Sequence, residues 1–270
     1  MKIALTGSSG PLGRIIRENL TLSGHEVIGC SRHGGDGDIS IDVLTANPDL
    51  VVQQVDGVVY GAWDSSDRSL TMQMRHANSA KNWATACQRL DRPFIFLSTT
   101  LAFSGSLSHY GQAKYSAERE ILLLGGTVLR IGLVCDDSYS LLSTSIRRSK
   151  FVKLSTLIFR NLRVFPVSSS SVCKIVIAAC NGNLTPNCYW AASKDPKSID
   201  QILRYPHGKN PKLKEYSYSK KMMQGISIVN RHVPNVDRII GLLDTAITMP
   251  LDSSYIPNGS LENWADQFSP

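Results

Sequence analysis

Thr6-Gly7-Ser8-Ser9-Gly10-Pro11-Leu12-Gly13 follows the short apolar run Lys2–Leu5. It leads into Pro11 to Leu22, where Ile15, Ile16 and Leu20 fall on one helical face. Three glycines spaced three apart, set between a strand and a helix, suit a tight turn and a close approach of backbone to a pyrophosphate. They also let the helix pack tightly on the sheet. The helix start offers unpaired N–H groups and a partial positive charge to an anion. Pro11 suits the first helical turn, where its missing N–H costs nothing. A glycine triplet alone is weak; in this setting it points to a dinucleotide site formed by Gly7, Ser9, Gly10, Pro11, Leu12 and Gly13.

Downstream, apolar runs keep alternating with helical patterns. Strands are expected at Glu26–Cys30, Gly57–Gly61, Phe94–Ser98 and Thr127–Val134. Helices are expected from Asn47, over Ser69–Leu90 and over Tyr110–Leu124. This alternation predicts an α/β fold, a Rossmann-type doubly wound parallel sheet covered on both faces. After Cys135 the rhythm changes: 136–170 is rich in Ser and basic residues, Val172–Cys180 reads as a helix and Cys188–Ala192 as a strand. Helices are also expected from Ser198 to Tyr205 and over Asn235–Ile247. We expect a dinucleotide-binding domain over 1–135, with 171–195 returning to it. A small C-terminal substrate-binding lobe is expected from 136–170 and 196–270.

The second strand ends at Cys30-Ser31-Arg32-His33. A site for NAD usually places an acid here for the ribose 2′-hydroxyl. Ser31 and Arg32 stand there instead, and a guanidinium suits a 2′-phosphate. NADP(H) is therefore expected over NAD(H); the alternative is that Arg32 points into water. Asp42, after Ile39 and Ile41, is a candidate acceptor for the adenine amino group, or a cap for the turn that follows.

At the other end of the crevice, Ser98-Thr99-Thr100 closes a strand and Tyr110-Gly111-Gln112-Ala113-Lys114 opens a helix. Residues four apart share a helix face. A phenol titrates near 10, and a neighbouring ammonium favours its phenolate. Thr100, Tyr110 and Lys114 are thus candidate catalytic residues: Lys114 steadies a ribose hydroxyl, Thr100 holds the substrate oxygen and Tyr110 exchanges its proton. A lone Y-x-x-x-K is common by chance and is otherwise an exposed helix pair.

Taken together, these segments resemble the extended short-chain dehydrogenase/reductases, the NAD(P)-dependent epimerase/dehydratase family. The glycine motif matches its T-G-x-x-G-x-x-G. Asp42 resembles its adenine-side aspartate, and Tyr60-Gly61-Ala62 its cofactor-lining segment, which puts Gly61 and Ala62 in the cofactor site. Asn78, Asn82 and Ala86 resemble its long central helix. Ser98 to Phe103 resembles its S-S-x-x-V-Y segment, Tyr110 and Lys114 its Y-x-x-x-K, and Leu129 to Val134 its L-R-x-x-x-V strand. Cys188 to Ile199 resembles a late strand and loop. The chain departs from the family at Phe103-Ser104, in the short segment from Thr100 to Tyr110, at Cys135 and in its short C-terminal lobe. The resemblance implies an NADPH-dependent reductase of a keto group on a nucleotide-activated sugar, with an epimerase as the alternative. Leu101 and Ala102 after Thr100, in place of an acidic pair, argue against dehydration. A further alternative is a non-catalytic NADP-binding redox sensor or scaffold. Relatives often dimerise through two helices, so a homodimer is possible.

Bulk properties narrow the partners. The chain of 270 residues carries a net charge of +7, and residues 141–270 hold 17 Lys and Arg against 8 Asp and Glu. The cluster Arg147, Arg148, Lys150, Lys153, Arg160 and Arg163 is either a solvated basic face or an attraction for an anionic substrate such as a diphosphate, with Arg147 and Arg148 as candidate contacts. No helix-turn-helix, RNP-like or zinc-finger signature supports nucleic acid. No apolar run approaches the roughly 20 residues of a membrane span. The six cysteines form no C-x-x-C pair and the histidines are scattered, so we expect no metal, reduced thiols and a cytoplasmic protein.

Overall fold

A computed structural model describes residues 1–135, except 36, 65 and 107, and residues 163–198. The basic segment around Arg147 and Arg148 and the helices expected after Ser198 lie outside the described residues. In chain order the strands are β1 (Lys2–Thr6), β2 (Glu26–Ser31), β3 (Ile39–Ser40), β4 (Gly57–Tyr60), β5 (Phe94–Thr99), β6 (Thr127–Ile131), β7 (Leu133–Val134), β8 (Arg163–Val164), β9 (Pro166–Val167), β10 (Cys188–Ala191) and β11 (Lys197–Ser198). The helices are α1 (Pro11–Leu22), α2 (Asp49–Val52), α3 (Leu70–Arg89), α4 (His109–Leu123) and α5 (Ser169–Cys180).

Seven strands form one parallel sheet in the order β10-β6-β5-β4-β1-β2-β3. Its central strands are mostly apolar because both faces are covered. Side chains alternate between faces. Val58, Tyr60, Phe94 and Phe96 meet Trp83, Ala80, Ala117 and Ile121 of α3 and α4. Ile3, Leu5, Val59, Ile95 and Leu97 meet Ile16 and Leu20 of α1 and Val172, Ile175 and Val176 of α5. The doubly wound Rossmann-type sheet expected from the sequence is therefore present. From β1 the chain winds first toward β2 and β3, then returns to β4 on the other side. That reversal opens a crevice at the carboxyl ends of β1 and β4, where such folds bind ligands.

Most boundaries fall within one or two residues of the sequence reading; two differ by three. The strand expected over Thr127–Val134 breaks at Gly132: Gly132 N still donates to Ala191 O (3.1 Å), but Leu133 N turns to Phe165 O (2.8 Å). β7 then pairs with β9. The helix expected from Val172 starts earlier, at Ser169, because the Ser168 hydroxyl caps it by accepting from Ser171 N at 3.1 Å.

Candidate active site

The glycine loop is tied to its neighbours on both sides. Gly7 N donates to Cys30 O (3.0 Å), and the Thr6 hydroxyl accepts from Gly61 N and Ala62 N (both 3.1 Å). Gly7 has φ +76°, and a Cβ on it would lie 3.0 Å from Ala62 N. A Cβ on Gly13 would lie 2.1 Å from Gly7 O, so only glycine lets α1 approach the loop this closely. Gly10 caps α1 with no side-chain bond, Pro11 opens the helix, and no acid stands in its first turn. The α1 start therefore presents N–H groups and positive potential without a competing carboxylate. The Ser8 and Ser31 hydroxyls are buried and have no hydrogen-bond partner. A cradle that a Cβ would fill, beside unpartnered buried hydroxyls, fits a dinucleotide; the loop, Ser31, Gly61 and Ala62 are the residues that would hold it.

Two expected contacts meet protein partners. Exposed Asp42 accepts from Leu44 N at 3.0 Å through its carboxylate and from Ala46 N at 2.9 Å through its carbonyl, so it caps the following turn. Arg32 reaches Asp64, Nη1 to Oδ2 3.3 Å. Asp64 is an acid that the sequence reading did not single out. Hydrogen bonds from Ser66 hold its carboxyl below the ordinary range, helped by Arg32. Asn78, on the expected central helix, is exposed, while His76 and Ser79 of the same helix are buried.

α4 brings Tyr110 and Lys114 to the carboxyl end of β5. Its start is fixed by Ser108, whose hydroxyl accepts from Gly111 N at 3.0 Å, and by a 3.0 Å bond between His109 Nδ1 and Arg68 O. Lys114 is buried, and its Nζ donates to Leu97 O at 2.7 Å. The ammonium lies 4.0 Å from the Trp63 ring centroid, 4.4 Å from that of Phe96 and 5.8 Å from that of Tyr110. Burial pushes Lys114 down to about 7, against the pull of Glu118. Trp63 is itself held firmly. Its Nε1 donates to Gln73 Oε1 at 2.7 Å, its face stacks on His76 at 5.2 Å, and it meets Tyr110 edge-on at 5.9 Å. Burial pushes His76 below its ordinary value.

Two hydroxyls end β5. Thr99 is half-buried and accepts from Leu101 N at 3.3 Å; Thr100 is buried, with its N–H donating to Ile131 O at 3.1 Å. Beneath them Glu118 joins three elements. Arg130 of β6 donates to it from Nη2 at 2.6 Å and from Nε at 3.1 Å, and Ser98 of β5 donates at 2.5 Å. The network fixes α4 against the sheet. Burial raises the Glu118 carboxyl, and its hydrogen bonds with Arg130 and Ser98 work against that rise.

A glycine cradle, Tyr and Lys on one helix turn and hydroxyls at the end of β5 thus share one edge of the sheet. The sequence pattern of the RmlD substrate binding domain family matches residues 1–185. The chain belongs to that family. Membership bears out the resemblance to the extended short-chain dehydrogenase/reductases, and with it a nicotinamide-dependent oxidoreductase or epimerase. No curated protein matches the chain by sequence. Solved structures share the family fold. UDP-N-acetylglucosamine 4-epimerase from Bacillus cereus superposes with TM-score 0.61 at 19% identity, over 90% of this chain and 99% of its own. MoeE5 in complex with UDP-glucose and NAD gives 0.62 at 16% identity, over 77% of this chain and 82% of its own. A dTDP-4-dehydrorhamnose reductase from Clostridium acetobutylicum gives 0.58 at 21% identity, over 76% and 79%. Among the described residues no helix is long and apolar enough to cross a membrane, and no group of three or more His, Cys, Asp or Glu could hold a metal ion.

Proposed function

We propose that this RmlD-family chain is an NADPH-dependent reductase of a keto group carried by a nucleotide-activated sugar. The observation that carries the reading is the placement of Tyr110 and Lys114, one helical turn apart on α4, at the same sheet edge as the glycine cradle. The cofactor would supply hydride to the carbonyl carbon. Tyr110 is the group that delivers a proton to the carbonyl oxygen, and it recovers one from water afterwards. The Lys114 ammonium lowers the cost of the phenolate that Tyr110 becomes. A hydroxyl at the end of β5, Thr100 just past the strand or its neighbour Thr99, steadies the same oxygen. Arg32, with the unpartnered Ser31 hydroxyl beside it, is the proposed seat of a 2′-phosphate.

Supporting a sugar nucleotide, the similar structures include a UDP-glucose complex, a UDP-N-acetylglucosamine 4-epimerase and a dTDP-4-dehydrorhamnose reductase. One observation favours an epimerase as the second reading: Asp64 places a carboxylate against Arg32, and an acid beside the ribose suits NAD.

The test is turnover of keto-sugar nucleotides with NADPH by the wild type and by Tyr110→Phe, with NADPH affinity measured in both. Turnover lost in Tyr110→Phe with unchanged affinity supports the reading; turnover retained sinks it. Thr99→Ala and Thr100→Ala, assayed alongside, separate the two hydroxyls. NAD co-purifying with the chain, with no NADPH-driven reduction, would put the epimerase first.

A further inference from the structure

The loop after β2 carries Arg32 and the loop after β4 carries Asp64, and β1 lies between these strands in the sheet. Their ion pair, Nη1 to Oδ2 3.3 Å, therefore spans the carboxyl end of β1, where the glycine loop leaves. The two partners are held very differently. The Arg32 side chain is 63% exposed against 31% for Asp64. Asp64 Oδ1 accepts from Ser66 N at 2.8 Å, and its carbonyl accepts from Gln73 Nε2 at 3.3 Å. Gln73 is fully buried and also holds Asp67 O and the Trp63 indole. Asp64 is an acid on a braced turn, and Arg32 is the more exposed arm that reaches it.

We propose that Asp64 is a specificity-determining residue for the nicotinamide cofactor, competing with a 2′-phosphate for Arg32 and drawing the crevice toward NAD(H). The inference rests on the reading of this crevice as the cofactor site and deepens it. A 2′-phosphate can use Arg32 only by taking it from Asp64, and it then lies near an uncompensated carboxylate. A 2′-hydroxyl meets no such repulsion and finds in Asp64 an acceptor. The acid missing at the end of β2 is thus supplied from the far side of β1.

The experiment titrates the full chain with NADPH and with NADH, following nicotinamide fluorescence, in the wild type, Asp64→Asn, Arg32→Gln and the double variant. Asn keeps an oxygen for Ser66 N and removes both the charge and the acceptor that faces Arg32. Asp64→Asn should tighten NADPH roughly three- to tenfold, the scale of one exposed charge pair, with NADH unchanged or weaker. The shift should shrink when Arg32 is already Gln, because the competition for Arg32 is then gone and only the repulsion between Asp64 and the phosphate remains. A wild type that prefers NADPH, with a ratio unmoved in Asp64→Asn, overturns this proposal and leaves the NADPH reading standing. A wild type that prefers NADH, with a ratio that moves toward NADPH in Asp64→Asn, does the reverse. Should Asp64→Asn bind neither nucleotide, Asp64→Ser is titrated as well. Loss in both variants overturns the proposal, since Asp64 then serves the turn and not the choice of nucleotide. A wild type that binds neither overturns both.

Discussion

The ammonium of Lys114 sits 4.0 Å from the centroid of the Trp63 indole, walled in on a second side by Phe96. An ammonium placed there gives up water for one carbonyl and two aromatic faces, and its titration near 7 follows from that exchange. The same shift governs stability. Unfolded, the lysine titrates at 10.5; folded, at about 7. Between those values the unfolded chain holds a proton that folded Lys114 lacks, so this group makes the protein more stable as pH rises through the window. Below it, the penalty of burying a charge is fully present. Lys114→Met should unfold at higher urea than the wild type at pH 6.5, and the gap should narrow by about 3 kcal/mol toward pH 9.5. Groups that titrate in both proteins cancel in the difference, so a gap flat across this range would refute the assignment.

Glu118 and Arg130 make the opposite kind of pair, with charge compensated by charge. Both side chains are buried, at 1% and 9% exposure, and Ser98 completes the set. Removing one partner leaves the other buried and unpaired. Glu118→Gln or Arg130→Met should each destabilise by about 3–5 kcal/mol in urea unfolding. The double variant should recover part of that loss, because it strands neither charge. Losses that simply add would show that the two residues act independently.

The elements of this fold were legible where periodicity and punctuation carry the signal. The glycine loop, α1, α3, α4 and the central strands follow from apolar spacing and from Pro and Gly. Tyr110 and Lys114 were legible because four residues on a helix is a local relation. Asp64 against Arg32 was not, since the pair meets only through strand order β4-β1-β2. The same holds for Trp63 over Lys114 and for Ser98, Glu118 and Arg130, which come from β5, α4 and β6. Of the two misplaced boundaries, one has a local cause and one a distant cause. Ser168 ends a polar, Ser-rich stretch of sequence and caps α5. Gly132 sits inside a run apolar enough to read as unbroken strand, and the strand's break there depends on Phe165, which arrives from far along the chain.

Thiol reactivity offers a check on the two cores. Burial pushes Cys30, Cys87, Cys180 and Cys188 up to about 12, and Cys173 is 2% exposed. Only the thiolate attacks an alkylating agent, so these five should stay unmodified in the folded chain. Cys135 is half-buried where β7 ends. N-ethylmaleimide at pH 8 should therefore add to at most one cysteine per folded chain, at Cys135, and to all six in denaturant. Intact mass counts the additions and peptide mapping places them. Modification of Cys30 or Cys188 in the folded chain would contradict the packing of the sheet on α3 and α4.

Gly13 lies in the first turn of α1, and a Cβ there would stand 2.1 Å from Gly7 O, a backbone atom that cannot move without dragging the loop. Gly7 is also pinned between Cys30 O and the Ala62 backbone. Gly13→Ala must push α1 outward, away from β1. A shift of that kind costs about 1–3 kcal/mol of stability, the scale of overpacking. It also separates the helix start from the turn that would bind a pyrophosphate. NADPH affinity should fall by about tenfold or more, since charge stabilisation at a helix N-terminus fades within one turn. Melting by circular dichroism and fluorescence titration read the two effects on one sample. A folded Gly13→Ala chain with wild-type affinity for both nucleotides would show that the pyrophosphate does not sit on this loop.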